Sequence, residues 1–177
     1  MELFKWFIRV FLVLLVIAVL LFLRSYQSFS NRLQANDEKT YKSRKAGRKA
    51  LIIFQDSRHG TVGRYVGIIK DLLVSSEYSV TVNHPRPDLS YDPMKYDLIV
   101  LACAAYLGKP SSQIIEYITK NPFINRKILV LMTGIDPDDS RELRQIEEVI
   151  PNHNSVSTLK VGKNDDELVK KMIRKLI

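Results

Sequence analysis

The sequence contains a single cysteine, Cys103, and only three histidines. One cysteine excludes an intramolecular disulfide and a zinc site built from cysteines. The histidines, His59, His84 and His153, do not have the short spacing that is typical of metal ligands. No Ser-His-Asp arrangement, carboxylate pair or metal motif points to hydrolysis. We therefore predict no catalytic residue and no metal site, and the sequence leaves open whether the chain is an enzyme.

Net positive charge is small in most of the chain and concentrated near its start. Residues 1–48 contain 9 Lys and Arg against 3 acidic residues, a net charge of +6, whereas residues 49–177 contain 18 against 16. Nucleic-acid binding regions interleave aromatic with basic side chains, and only Tyr41 lies among the basic residues here. We predict a membrane partner for this charge and no nucleic-acid partner.

A long apolar run occurs only near the N-terminus, where every residue from 6 to 23 except Arg9 is apolar. At about 1.5 Å per residue, such a helix nearly crosses a bilayer core when Arg9 reaches the headgroups. We predict a single transmembrane helix over residues 1–24. A cleaved signal peptide is the alternative, because residues 10–23 form a short apolar run and residues 28–30 resemble a cleavage site. Arg24, directly after the run, favours the anchor.

Residues 25–48 are basic and polar and have no sustained apolar face, so we predict a juxtamembrane linker. Two interpretations stay open: a tether lying against anionic lipid headgroups, or a solvated spacer. More Lys and Arg follow the apolar run than precede it, where only Lys5 and Arg9 lie. This asymmetry predicts a single-pass protein of the cell membrane with its folded domain in the cytoplasm.

From Lys49 onward, short aliphatic runs alternate with amphipathic stretches, which predicts an α/β domain over residues 49–177. The predicted strands are 50–54, 78–82, 98–102, 128–133 and 156–161, and the predicted helices are 62–75, 111–121, 140–150 and 165–176. Residues 83–95 contain three prolines and form an irregular crossover. Right-handed crossovers give a doubly wound, five-stranded parallel sheet of order 2-1-3-4-5. Its ligand site is expected at the carboxyl ends of strands one and three.

Two loops at those strand ends carry a family resemblance. Gln55-Asp56-Ser57-Arg58-His59-Gly60-Thr61-Val62 joins the first strand to a helix, a geometry that directs backbone N–H groups at a phosphate. Ala102-Cys103-Ala104-Ala105-Tyr106-Leu107-Gly108-Lys109-Pro110 follows the third strand. Together they resemble the flavin-binding loops of the flavodoxin family, and the resemblance covers residues 49 to 177. It implies a flavodoxin-like fold and non-covalent binding of FMN.

In flavodoxins the phosphate loop has the order hydroxyl residue, any, hydroxyl residue, Gly, any, Thr. Ser57 and Gly60 match this order, whereas His59 and Val62 replace two hydroxyl residues and Thr61 supplies one a place early. Arg58 or a protonated His59 could compensate with a charge-assisted bond. The alternative is an ordinary strand-to-helix turn.

The resemblance also assigns two loops to the flavin ring. In the second loop it implies backbone contacts from Ala104, Ala105, Leu107 and Gly108 and stacking by Tyr106, for which a core tyrosine is the alternative. The third loop, with Thr133, Gly134 and Asp136, closes over the other edge of the ring, where its acids would lower the reduction potential. The acids at 138 and 139 also suit a helix start. Cys103 is expected to be a packing residue.

The functional prediction is a membrane-anchored flavodoxin-like protein that binds FMN and exchanges electrons with a membrane-associated partner, a redox protein or a quinone. A flavin-free scaffold on the same fold is one alternative. A second is a menaquinone-linked oxidoreductase of the protoporphyrinogen dehydrogenase type, which the Thr-Gly-x-Asp-Pro stretch at 133–137 resembles. A phosphoacceptor receiver domain is excluded, because residues 102–104 hold no aspartate.

Overall fold

The computed structural model describes residues 2–30, 32–45 and 47–177 and contains an N-terminal helix, α1 (Glu2–Ser30), followed by an α/β domain. Residues 1, 31 and 46, which fall in the predicted anchor and linker, lie outside the described residues. The strands are β1 (Lys39–Tyr41), β2 (Arg48–Phe54), β3 (Tyr78–Asn83), β4 (Leu98–Ala104), β5 (Lys127–Thr133) and β6 (Ser155–Val161). The later helices are α2 (Thr61–Ser75), α3 (Ser112–Lys120), α4 (Arg141–Glu147) and α5 (Asp166–Leu176), with a 3-10 turn at Pro93–Lys95.

The sheet order is β1-β3-β2-β4-β5-β6, and the strands from β2 to β6 are parallel. This confirms the predicted order of the five parallel strands. Alternate residues of β2 enter opposite cores: Ile52 packs with α2 and α5, and Ile53 packs with α3 and α4. All seven residues of the central strand β4 are buried, as expected for a strand covered on both faces.

The sheet has six strands, one more than the sequence predicted. β1 lies in the segment assigned to the linker and pairs antiparallel with β3, with Lys39 opposite Val82 and Tyr41 opposite Val80. No sequence pattern predicts this strand, because a three-residue edge strand with one half-buried side chain shows no alternation. β1 covers the backbone of β3, which would otherwise be an open edge.

The residues before β1 are also bound to the domain. The buried Asn83 side chain donates to Asn36 Oδ1 at 2.8 Å and accepts from the Asp37 amide at 3.2 Å. The Tyr91 hydroxyl donates to Glu38 Oε2 at 2.6 Å and accepts from Asn83 Nδ2 at 2.9 Å. Residues 36–41 therefore belong to the folded domain, and the linker is shorter than the sequence predicted.

Helix α1 contains one stretch, Phe4–Ser25, that is long and apolar enough to cross a membrane. None of that stretch is buried inside the protein. A signal sequence near an N-terminus has the same length and composition, so both interpretations of this helix remain proposals.

We expect a fragment of residues 32–177 to be more stable than a fragment of residues 49–177. The shorter fragment loses the β1 pairing and the contacts to Asn83 and Tyr91. At about 1 kcal/mol for each hydrogen bond, its free energy of unfolding should fall by about 2–4 kcal/mol. Urea titrations followed by circular dichroism measure the difference, and equal midpoints would show that the segment before β2 contributes nothing.

Candidate functional site

The loops after β2, β4 and β5 meet at one edge of the sheet. Phe54 pairs with Ala102 and Ala104 pairs with Thr133, so these parallel strands end at nearby levels. Between the loops lies a cavity of about 240 Å³. Its lining comprises Ser57, His59, Thr61, Ala104, Ala105, Tyr106, Thr133, Gly134, Ile135, Gly162 and Lys163. Eight of these are predicted site residues, whereas Ile135 and the loop after β6 were not predicted.

Side chains of the first loop accept hydrogen bonds from the backbone amides at the start of α2. Ser57 Oγ accepts from the amides of Thr61 at 2.8 Å and Val62 at 3.3 Å. Asp56 Oδ1 accepts from the amides of Ser57 at 2.7 Å and Gly63 at 2.9 Å. The first three backbone amides of α2, which in an uncapped helix lack a partner, are thus all bound within the chain. The sequence analysis did not identify Asp56 as part of this site.

Two predicted residues of the first loop have backbone roles. Gly60 adopts a φ of +69°, the left-handed region that favours glycine, and its amide donates to the Ser57 carbonyl at 3.0 Å. The Val62 side chain is fully buried in the core, so only its amide faces the loop. Where the flavodoxin pattern has a threonine, this chain therefore has a valine that packs in the core. Thr61 and Ser57 are the hydroxyl residues of this loop that line the cavity.

The second loop reverses direction at Leu107 and Gly108. Tyr106 and Lys109 exchange two backbone hydrogen bonds, of 2.9 and 3.1 Å, and both residues between them have positive φ. Glycine suits this two-residue turn, whereas an exposed leucine in it is strained. Leu107 and Gly108 lie outside the cavity lining. The Tyr106 ring lines the cavity and packs on the core, and its hydroxyl accepts from the Arg58 amide at 2.8 Å.

The third loop turns its acids away from the cavity lining. Asp136 Oδ1 accepts from the Asp138 amide at 3.1 Å. Asp139 pairs with Arg141, whose guanidinium holds the pKa of that carboxyl well below its usual range. Ile135, between Gly134 and Asp136, is wholly exposed. The structure thus places Thr133 and Gly134 at the cavity and Asp136 outside it.

Solved structures share the fold of this domain. A flavodoxin from Streptococcus pneumoniae TIGR4 is 17% identical over 72% of this chain and 97% of that chain, with a TM-score of 0.55. A short-chain flavodoxin associated with a bacterial microcompartment is 14% identical over 73% and 96%, with a TM-score of 0.56. Flavodoxin 2 from Bacillus cereus is 18% identical over 72% and 94%, with a TM-score of 0.53.

The chain has the flavodoxin fold. No protein-family model matches the sequence, and no curated protein is similar to it. At these identities the likeness establishes the architecture of the domain and not its ligand.

Within this flavodoxin fold, a buried ion pair fixes the third loop. Lys160 Nζ, on β6, donates to Glu142 Oε2 at 2.9 Å and to the Asp139 carbonyl at 2.7 Å. The two charged side chains are only 3% and 9% exposed. A Cβ at Gly134 would lie 2.6 Å from Lys160 Cε, so the lysine stem needs a glycine at this position.

No sequence pattern predicts this ion pair. An acidic residue in the first turn of a helix usually complements the helix dipole at the surface, which is how Glu142 would be interpreted. Cys103, by contrast, behaves as predicted: it is buried, and burial raises the pKa of its thiol to about 11. A neutral buried thiol is a packing residue.

We expect Lys160→Met and Glu142→Leu each to destabilise the domain by about 3–5 kcal/mol, because each leaves one charge buried without its partner. The double variant should be more stable than either single variant, since it leaves no unpaired charge. Urea unfolding of the four proteins gives the coupling free energy. Additive losses in the double variant would mean that the two charges do not interact.

Proposed function

We propose that this chain is a membrane-anchored flavodoxin-like protein that binds FMN non-covalently and exchanges electrons with a redox partner at the membrane. The observation that carries the proposal is the convergence of three loops on one cavity at the point where the strand order reverses. When bound, the flavin would supply the redox chemistry, and the protein would bind it and set its surroundings.

The cavity wall suits a flat aromatic ring. Ala104 and Ala105 present small side chains, Tyr106 presents an aromatic one, and Thr133 and Gly134 bring backbone close to the opposite side. The volume of about 240 Å³ is below the range of about 300–1,000 Å³ that is typical of ligand pockets. A bound flavin would therefore keep one edge outside the protein or move the loops apart.

The phosphate end has features for and against an anion. Ser57, Thr61 and the exposed His59 line the cavity at the start of α2, a 15-residue helix whose N-terminus attracts negative charge. Asp56 places a carboxylate at the same helix start, 2.9 Å from the Gly63 amide. This carboxylate repels a phosphate and occupies an amide that a phosphate would otherwise bind. FMN binding is therefore expected to be weaker than the loop could support without this charge.

We expect Asp56→Asn to strengthen FMN binding about tenfold and to leave riboflavin binding unchanged, because the variant removes a charge near the phosphate and keeps an acceptor oxygen. Ser57→Ala should weaken FMN binding alone, by about 1–3 kcal/mol. Tyr106→Ala should weaken both ligands, since it removes the aromatic side chain from the cavity wall together with the hydroxyl that binds the Arg58 amide. Flavin fluorescence titrations of the full chain and of the three variants measure the affinity for each ligand.

A matched control is Asp71→Asn, which makes the same charge change on an exposed residue farther along α2. It should leave both affinities unchanged. Equal affinity for FMN and riboflavin in the parent chain and in Asp56→Asn would refute the phosphate site.

A second candidate function is a flavin-free binding module on the same fold. The observation that favours it is the complete internal capping of α2 by Asp56 and Ser57, which leaves the loop satisfied without a ligand. In that case neither the parent chain nor Asp56→Asn binds FMN at high micromolar concentration, whereas circular dichroism still shows a cooperatively folded domain.

We further propose that Phe4–Ser25 anchors the chain with its domain in the cytoplasm. A reporter fused to the C-terminus should be active only when it is of a type that works in the cytoplasm, and the chain should keep its full mass. A shortened, exported protein would support the signal-peptide alternative. Protection of the domain from external protease in intact cells provides the control on topology.

A further inference from the structure

The chain enters the domain at the same edge of the sheet as the candidate cavity. The Arg32 carbonyl accepts from Gln55 Nε2 at 3.0 Å, and Gln34 Oε1 lies 3.4 Å from the Asp56 amide that donates to it. Gln55 and Asp56 directly follow β2 and precede Ser57. The first contact with the domain therefore comes two residues after α1 ends at Ser30.

Chain length limits how far this edge can lie from the apolar helix. Two extended residues span at most about 7 Å. The five helical residues between Ser25 and Ser30 add about 7.5 Å. The contact to Gln55 thus lies within about 15 Å of the end of Phe4–Ser25, whatever the angle between helix and domain.

The opposite edge of the sheet is farther from that helix. A seven-residue strand such as β5 is about 20 Å long, and β1 leads from the cavity edge to the opposite one because it runs antiparallel to β3. The basic residues Lys42, Arg44 and Lys45 follow β1 and so lie at the far edge. Their charge lies about one strand length, roughly 20 Å, from the contact between Arg32 and Gln55, which exceeds a Debye length of about 8–10 Å.

Exposed apolar side chains occur at both edges. Leu33, Leu107 and Ile135 are 50%, 52% and 104% exposed at the cavity edge, and Met94 and Ile124 are 65% and 54% exposed at the other. Exposure alone therefore does not show which edge of the sheet faces the membrane. The short path of the chain from the apolar helix to Gln55 favours the cavity edge. At the cavity edge Ile135 is the apolar side chain that protrudes farthest into solvent.

We propose that the cavity edge of the sheet docks on the phospholipid surface, with Leu33, Leu107 and Ile135 entering the headgroup region. This inference rests on the anchor in the proposed function and deepens it. The headgroup region is about 5–8 Å thick on each side of the bilayer, so a limit of about 15 Å keeps this edge within about 10 Å of the outer face of the headgroups. The cavity then opens toward the membrane, and a redox partner that reaches it lies in or on the bilayer.

The test places a fluorophore at each end of β5. Ile135→Cys and Ile124→Cys are matched variants, one isoleucine beyond each end of the same strand, in the full-length chain. Native Cys103 is buried with a raised pKa and should not react, which the unsubstituted chain checks. The labelled proteins are reconstituted in vesicles of phosphatidylcholine and phosphatidylglycerol that contain a lipid with a nitroxide quencher on its headgroup.

We expect the label at 135 to lose most of its emission and the label at 124 to keep most of it. Equal quenching at the two positions, stronger quenching at 124, or failure of the chain to stay on the vesicles would overturn the inference. A flexible insert of about 12 Gly and Ser residues after Ser30 removes the length limit and should reduce quenching at 135. Unchanged quenching with the insert would show that the short connection between helix and domain does not keep this edge at the membrane.

An FMN titration of vesicles that carry the unlabelled, unsubstituted chain separates this inference from the proposed cofactor, because a label at 135 would stand in the cavity lining. Unequal quenching without FMN binding would refute the cofactor and support the docked edge. FMN binding with equal quenching would refute the docked edge alone.

Discussion

The whole candidate site depends on the parallel pairing of β2 with β4. β2 has β3 on one side and β4 on the other, and right-handed crossovers connect these strands. The loops that follow β2 and β4 therefore leave the same edge of the sheet and diverge. The pairing of Phe54 with Ala102 and of Ala104 with Thr133 brings the loop starts to nearby levels. No single side chain creates the cavity; it is the gap left where the strand order reverses. The residues around it then decide what the gap can hold.

Those residues hold the loops through hydrogen bonds within the chain. Ser57 and Asp56 bind the first amides of α2, the Tyr106 hydroxyl binds the Arg58 amide, and the Lys160–Glu142 pair fixes the third loop. A loop with satisfied amides needs no phosphate to fold, and a phosphate must displace bonds that already exist. The negative charge of Asp56 adds a repulsive contribution. A preformed but electrostatically opposed site is therefore the main physical difference between this chain and the phosphate loop that the sequence resemblance implies.

The sequence was sufficient for the regular elements and insufficient for the paired polar groups. Aliphatic runs such as residues 98–102 and the 3.6-residue periodicity of α5 predict elements whose ends differ from those in the structure by only one or two residues. β1 was missed because three residues with one half-buried side chain carry no periodic signal. Asp56 and Lys160 were missed because a carboxylate in a loop and a lysine in a strand are usually solvated. Their burial and partners depend on contacts between residues 7 and 18 positions apart, which no local pattern encodes.

The most direct test of the account is the flavin content of the full-length chain purified from membranes. We predict a yellow protein whose denaturation releases FMN, and not riboflavin or FAD, at a ratio that approaches one per chain after incubation with excess FMN. A colourless, folded chain that takes up no FMN would contradict it and leave the fold without its proposed cofactor.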